Sequence, residues 1–138
     1  MKTVIAFGTF DHFHKGHQFF LIKARKLGES FVITIARDIN VLHIKKKLPY
    51  FSEKERKQQV EDFFKNDPKT QVILGDKKDY TVPLTTTQPN IIALGYDQRI
   101  PKSLEGLLDT YQIEHIQSFE PTKYKSSLIS PKKSKLEE

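Results

Sequence analysis

Val4, Ile5, Ala6 and Phe7 form a short unbroken apolar run stopped by Gly8. A run of that kind is a strand covered on both faces, as in a parallel sheet, where helices lie above and below. Phe20, Ala24 and Leu27 then recur at helical spacing, with Lys23, Arg25 and Lys26 on other faces and Gly28 placed as a carboxyl cap. A second run, Phe31 to Ala36, is rich in β-branched residues and ends at Arg37 and Asp38. Strand, helix, strand in that order implies a parallel pair joined by a right-handed crossover, which commits the chain to an α/β fold.

The rest of the chain extends this pattern. Ile39 to Phe51 has no clean period and contains Lys45, Lys46, Lys47 and Pro49, so it reads as a connection. Ser52 and Glu55 fit a capping box, and the helix they open carries Val60, Phe63 and Phe64 inward until Asn66, Asp67 and Pro68 close it. Gln71 to Leu74 and Ile91 to Leu94 read as further strands. Between them, residues 78–88 alternate like a strand at Tyr80, Val82 and Leu84, while Pro83 and three threonines argue against a central one. Leu104, Leu107 and Leu108 mark a helix, Ile113, His115 and Ile116 a fifth strand, and Ser126 with Ser127 the cap of a last short helix. The expected architecture is a single Rossmann-like α/β domain over residues 1–130, with a mostly parallel sheet of about five strands and helices on both faces. A charged tail follows at 131–138.

Composition narrows the function classes. At 138 residues and 37% hydrophobic content the chain suits one core. Cysteine is absent, which removes disulfides, thiolate metal sites and cysteine nucleophiles together. Apolar runs are far shorter than a membrane span and no signal-peptide pattern precedes the first strand, so the expectation is a cytoplasmic protein with no membrane partner. The net charge of +6 suits either nucleic acid or polyphosphate substrates. With no RNA-binding aromatic signature and no helix-turn-helix pattern, nucleic acid is not the expected partner.

The chemistry concentrates in Gly8 to His17, GTFDHFHKGH. His14 and His17 flank Lys15 and Gly16 where a strand end meets a helix start. Open α/β sheets bind ligands at that end, and a helix amino terminus offers free N–H groups to anions. Gly16 leaves room for a phosphate near the backbone, and each imidazole can donate a hydrogen bond to a phosphate oxygen. His12, His14 and His17 could in principle ligate zinc, but no further ligand stands at a completing spacing, so no protein metal site is expected. His43 and His115 read as structural. The lysine block is ordinarily a solvated face, and Ser126 with Ser127 ordinarily a cap.

The HxGH step after G-T-F-D resembles the signature of the nucleotidylyltransferase superfamily, which holds cytidylyltransferases, pantetheine-phosphate adenylyltransferase and FAD synthetases. The resemblance implies that His14 and His17 contact the nucleotide phosphates and stabilise charge on the α-phosphate under attack. Gly8, Thr9, Phe10 and Gly16 then belong to the nucleotide-binding turn, with Phe10 chiefly packing, while Asp11 orients the turn, assists a metal or meets the acceptor. Lys45 to Lys47 before Tyr50 and Phe51 is similar to the segment holding the acceptor's phosphate, which favours Lys46 and Lys47 for that role and Lys46 for catalysis. Ser126 and Ser127 are similar to a second phosphate motif, although the arginine-threonine pair and GIS step of cytidylyltransferases are missing. Ile91 to Gln98, IIALGYDQ, looks like archaeal-type FAD synthetases, as does Ala36-Arg37-Asp38, and makes Asp97 and Arg99 candidate nucleotide ligands. The resemblance therefore implies adenylyl transfer from ATP to FMN with magnesium on the triphosphate. CTP-dependent glycerol-3-phosphate cytidylyltransferase, a pantetheine-phosphate adenylyltransferase-like enzyme and a non-catalytic nucleotide-binding module are the alternatives. Dimers are common among relatives, which leaves a homodimer open.

Overall fold

A computed structural model describes residues 2–95, 98, 106 and 110–117. The first apolar run becomes β1 (Thr3–Gly8), followed by a 3₁₀ turn (Asp11–Phe13), α1 (Lys15–Arg25) and β2 (Ser30–Ile35). Then come α2 (Asp38–Lys45), α3 (Glu53–Phe63), β3 (Thr70–Leu74), α4 (Val82–Thr87), β4 (Ile91–Gly95) and β5 (Gln112–Ile116). The sheet is five-stranded in the order β3-β2-β1-β4-β5, and every pairing is parallel.

Register divides the apolar runs between two cores. Val4 lies opposite Phe31 and Ile91, and Ala6 opposite Ile33 and Ala93. These residues pack on one face with Leu21 and Ala24 of α1 and Val60 of α3. Ile5, Val32, Ile92 and Leu94 point the other way and meet Leu84 of α4. Continuous rather than alternating hydrophobicity in β1, β2 and β4 is thus the consequence of burial on both sides. Each fully buried Ile or Leu here contributes about 1.5–3 kcal/mol.

Four expectations change. Ile39 to Lys45 is helical, not a connection; its Ile39, Leu42 and Ile44 are exposed, so no buried stripe marks the helix in the sequence. The stretch at 78–88 holds α4, and Pro83 sits in its first turn, where a missing N–H costs nothing. Phe63 is 40% exposed rather than inward, its ring edge-on to Phe13. Gly28 does not take a left-handed cap, since no glycine has positive φ; a Cβ there would lie 2.6 Å from the Lys2 carbonyl oxygen, so the close passage of chain requires it. The Ser52 and Glu55 capping box forms as expected.

Chain order reverses between β1 and β4: β2 and β3 lie to one side of β1, β4 and β5 to the other. A crevice opens at the carboxyl ends of the two strands at such a switch point. Gly8 and Gly95 end the strands there.

Candidate active site

The turn leaving β1 is strained. Phe10, His12 and Phe13 have φ of 52°, 63° and 31°, a left-handed backbone that costs a non-glycine residue about 1 kcal/mol or more. Phe10 folds back over the strand end and is buried, and a Cβ on Gly8 would stand 2.5 Å from its ring, so glycine is required beneath it. Surrounding bonds hold the conformation. Both carboxylate oxygens of Asp11 accept backbone N–H groups, from Tyr50 at 2.7 Å and Phe51 at 3.0 Å. Gln18 donates to the Phe13 carbonyl at 3.1 Å. Burial raises the Asp11 pKa, but those two N–H groups and the charges of His12 and Arg56 outweigh it and hold the carboxyl below its ordinary value. Asp11 is therefore a clamp between the turn and the segment at 50–51.

His14 and His17, one helical turn apart at the start of α1, stack with ring centroids 3.7 Å apart. His14 caps α1: its Nδ1 accepts the Gly16 N–H at 3.1 Å, which requires Nδ1 unprotonated and leaves Nε2 to carry the proton of the neutral ring. A Cβ on Gly16 would lie 3.0 Å from His14 Cε1. The space beside Gly16 thus accommodates the capping imidazole. His17 lies deeper, edge-on to Phe10 at 5.4 Å and roughly parallel to Phe13 at 6.3 Å. Its Nδ1 is buried without a partner, a situation worth about 1–3 kcal/mol against the site until something pairs with it. Burial, then the positive charges of His14 and Lys45, lower its pKa from 6.5 to about 3. His14 is lowered as well, by burial and by His12. Both rings are neutral hydrogen-bonding groups near neutral pH.

Arg56, in the first turns of α3, is completely buried. Its guanidinium donates to the carbonyls of Phe51 at 3.0 Å, Thr9 at 2.8 Å and Ala36 at 2.9 Å, and to Asp38 Oδ1 at 2.6 Å. One side chain thereby ties the end of β1, the end of β2 and the start of α3. Asp38 and Glu53 cross-cap their helices: each carboxylate accepts the other's backbone N–H, at 2.8 and 3.2 Å. Arg37 adds an ion pair to Glu53 at 3.0 Å and a bond to the Gly75 carbonyl. Across the crevice the link is neutral: Gln98 accepts from the Gly95 N–H at 3.0 Å and donates to the Phe7 carbonyl at 2.8 Å.

Of the expected site residues, the fold brings Gly8, Thr9, Phe10, Asp11, His14, Gly16 and His17 together at the end of β1. Lys46 has a left-handed backbone (φ 66°) just past α2, and it and Lys47 are exposed. Lys45 carries the charge that acts on His17. Asp97, Arg99, Ser126 and Ser127 lie outside the described residues. Sequence reasoning gave no role to Arg56, although it stands four positions before Val60 on the inward stripe of α3, where a charge needs buried partners. Gln98 had no comparable signal, since both its partners are backbone groups. Among the described residues no group of three or more histidine, aspartate or glutamate side chains is placed to hold a metal ion, and no helix is long and apolar enough to cross a membrane.

Comparison with known proteins places these features in context. The cytidylyltransferase-like family model matches residues 5–131. An FAD synthase of Ferroglobus placidus is 45% identical over 98 residues, which are 71% of this chain and 61% of that relative. The FAD synthase of Methanosarcina barkeri is 44% identical over 99 residues, 72% of this chain and 68% of the relative. The first of these matches spans less than two thirds of the relative's length. Among solved structures, a lipopolysaccharide core biosynthesis protein from Thermoplasma volcanium GSS1 superposes with a TM-score of 0.74 at 30% identity, over 87% of this chain and 99% of that one. A bifunctional NMN adenylyltransferase/ADP ribose pyrophosphatase from Francisella tularensis, complexed with AMP and a manganese ion, shares the fold at a TM-score of 0.59 and 18% identity, over 87% of this chain and 38% of that one.

Proposed function

This chain belongs to the cytidylyltransferase-like family, and on that premise we propose that it transfers the adenylyl group of ATP to FMN, forming FAD and releasing pyrophosphate. An FMN phosphate oxygen attacks the α-phosphorus in line. The new P–O bond forms as the bond to the bridging oxygen of the β-phosphate breaks, and pyrophosphate leaves with that electron pair. No protein nucleophile is needed. The observation that carries the reading is the stacked His14–His17 pair at the switch point, with an unpartnered buried nitrogen on His17. Such a pair gains most when an anion arrives, because a phosphate offers acceptors to imidazole N–H groups and raises the lowered pKa values toward their ordinary range. Preorganised donors of this kind stabilise charge that builds on the α-phosphate oxygens.

In this reading the two substrates lie on opposite sides of β1. The β4 side of β1 suits the nucleotide, with Gly8, Thr9 and Phe10 of the turn and Gly16 at the start of α1 beneath the phosphates; by their place in the sequence pattern, Asp97, Arg99, Ser126 and Ser127 are its proposed further ligands. The β2 side suits the acceptor, where Lys46 and Lys47, joined by Lys45, offset a phosphate–phosphate repulsion of roughly 4 kcal/mol per pair of unit charges at 4 Å in an effective dielectric of 20. Asp11 serves that side by holding residues 50 and 51 in place.

A magnesium ion would come in on the triphosphate and be held by phosphate oxygens and water. Asp11 and Asp38 direct both oxygens to protein donors, so neither would ligate it without giving up those bonds. When bound there it supplies neutralisation of the triphosphate charge.

The choice of ATP and FMN over CTP and glycerol 3-phosphate is supported by the FAD synthase relatives and by IIALGYDQ. Pyrophosphate release measured for ATP and CTP against FMN, glycerol 3-phosphate and phosphopantetheine tests it. FAD formed from ATP and FMN alone is expected, and turnover with CTP in place of ATP would overturn the choice.

A further inference from the structure

The strained turn presents an aromatic surface that the transfer chemistry does not use. His12 is exposed and left-handed, with ψ of −3°, in a turn where three of four consecutive residues are already under backbone strain. Its imidazole stacks on Tyr50, centroids 4.9 Å apart and planes 29° from parallel, and Phe51 stands edge-on to both rings at 5.3 and 4.8 Å. Tyr50 is 76% exposed, and Leu48 beside it is 59% exposed. Exposed aromatic side chains are ordinarily free to change rotamer. Here the rings are held by one another, and the Asp11 carboxylate fixes the backbone of Tyr50 and Phe51 from within the turn that carries His12. The result is an aromatic ledge, open to water, on a fixed stretch of backbone.

Position gives the ledge its occupant. Residues 36–51 leave β2, on the side of β1 away from β4, so the ledge lies on the acceptor's side and directly follows the lysines at 45–47. An acceptor with a phosphate at those lysines and a planar ring at the other end of a flexible chain would meet cations first and the ledge next. We infer that His12 and Tyr50 form a stacking subsite for the planar heteroaromatic ring of the acceptor, the isoalloxazine of FMN, and so select acceptors that carry such a ring. This rests on the reading of FMN as acceptor and adds the residues that recognise its ring. The strain at His12 is then part of the design: it aims a flat, exposed imidazole at Tyr50, where an unstrained turn would not.

Two variants test the subsite in the full chain. Tyr50→Leu keeps apolar bulk and removes the ring, and His12→Asn keeps a residue that tolerates left-handed backbone and removes the imidazole. Steady-state FAD formation gives KM for each substrate, and quenching of flavin fluorescence titrates riboflavin, which has the ring without the phosphate. Each variant is expected to raise KM for FMN about two- to tenfold, the range of a lost aromatic pair, with KM for ATP unmoved and riboflavin binding weakened in parallel. Unchanged KM for FMN and unchanged riboflavin binding in both variants, with the parent protein still making FAD, would overturn the subsite alone. A parent protein that makes no FAD from ATP and FMN would overturn the acceptor assignment and the subsite with it.

Discussion

The two walls of the crevice are fastened by different chemistry. On the β2 side, a fully buried arginine, two carboxylates that cap each other's helices and a carboxylate clamp hold the strand ends together. On the β4 side, among the described residues, the side-chain link between β1 and β4 at the crevice end is the neutral Gln98 amide. The difference follows from what each wall must carry. The β2 wall supports a strained turn, anchored in the core by Phe10, and an exposed segment with three adjacent lysines, so buried charge supplements packing there. The β4 wall rests on Ile91 to Leu94, all buried, and needs only register.

That contrast is open to measurement. Arg56→Leu, which strands Asp38 and three carbonyls at once, is expected to lower stability by about 3–5 kcal/mol in chemical denaturation. A loss under 1 kcal/mol would show that packing, not the guanidinium, holds the β2 wall. Acidification acts on the histidines between the walls. Because burial lowers the His17 pKa from 6.5 to about 3, the unfolded chain binds a proton in that interval that the folded chain refuses. Stability is therefore full above pH 6.5 and falls as pH drops toward 3, by about 1.4 kcal/mol per pH unit from this group. His14, lowered in the same direction, steepens the fall. Denaturation midpoints from pH 7 to 5 should show the slope, and His17→Leu should flatten it; an identical slope in the variant would mean that other groups carry it. The smallest effect is expected at the neutral bridge, where Gln98→Ala should cost about 1–2 kcal/mol, the scale of two ordinary hydrogen bonds. A cost equal to that of Arg56→Leu would erase the distinction between the walls.

Much of this arrangement was legible in the sequence where its causes are local. A continuous apolar run stopped by glycine specifies β1, and a serine three residues before a glutamate specifies the start of α3. The GTFDHFHKGH turn announced both histidines because the residue types and the strand-to-helix junction lie within ten positions. What stayed hidden depends on contacts across the fold. α2 was unreadable because Ile39, Leu42 and Ile44 face water and write no burial period, and α4 because proline and threonines resemble a poor strand until the proline is seen at the helix start. The Asp11 clamp joins residues about 40 apart, and Arg56 reaches partners 5 to 47 positions away, so neither has a local pattern. Gly16 was legible as a residue that must be small, and the described neighbour a Cβ there would crowd is the His14 ring.

We propose that the stacked histidines act in the transfer by charge stabilisation, His14 also capping α1 and His17 being dispensable for the fold. The most direct measurement is kcat for FAD formation by His17→Ala, taken together with its thermal midpoint at pH 7.5. A fall in kcat of about 10²–10³-fold with a cooperative unfolding transition retained is predicted, the cost of removing one preorganised donor. Turnover equal to that of the parent protein would contradict the account.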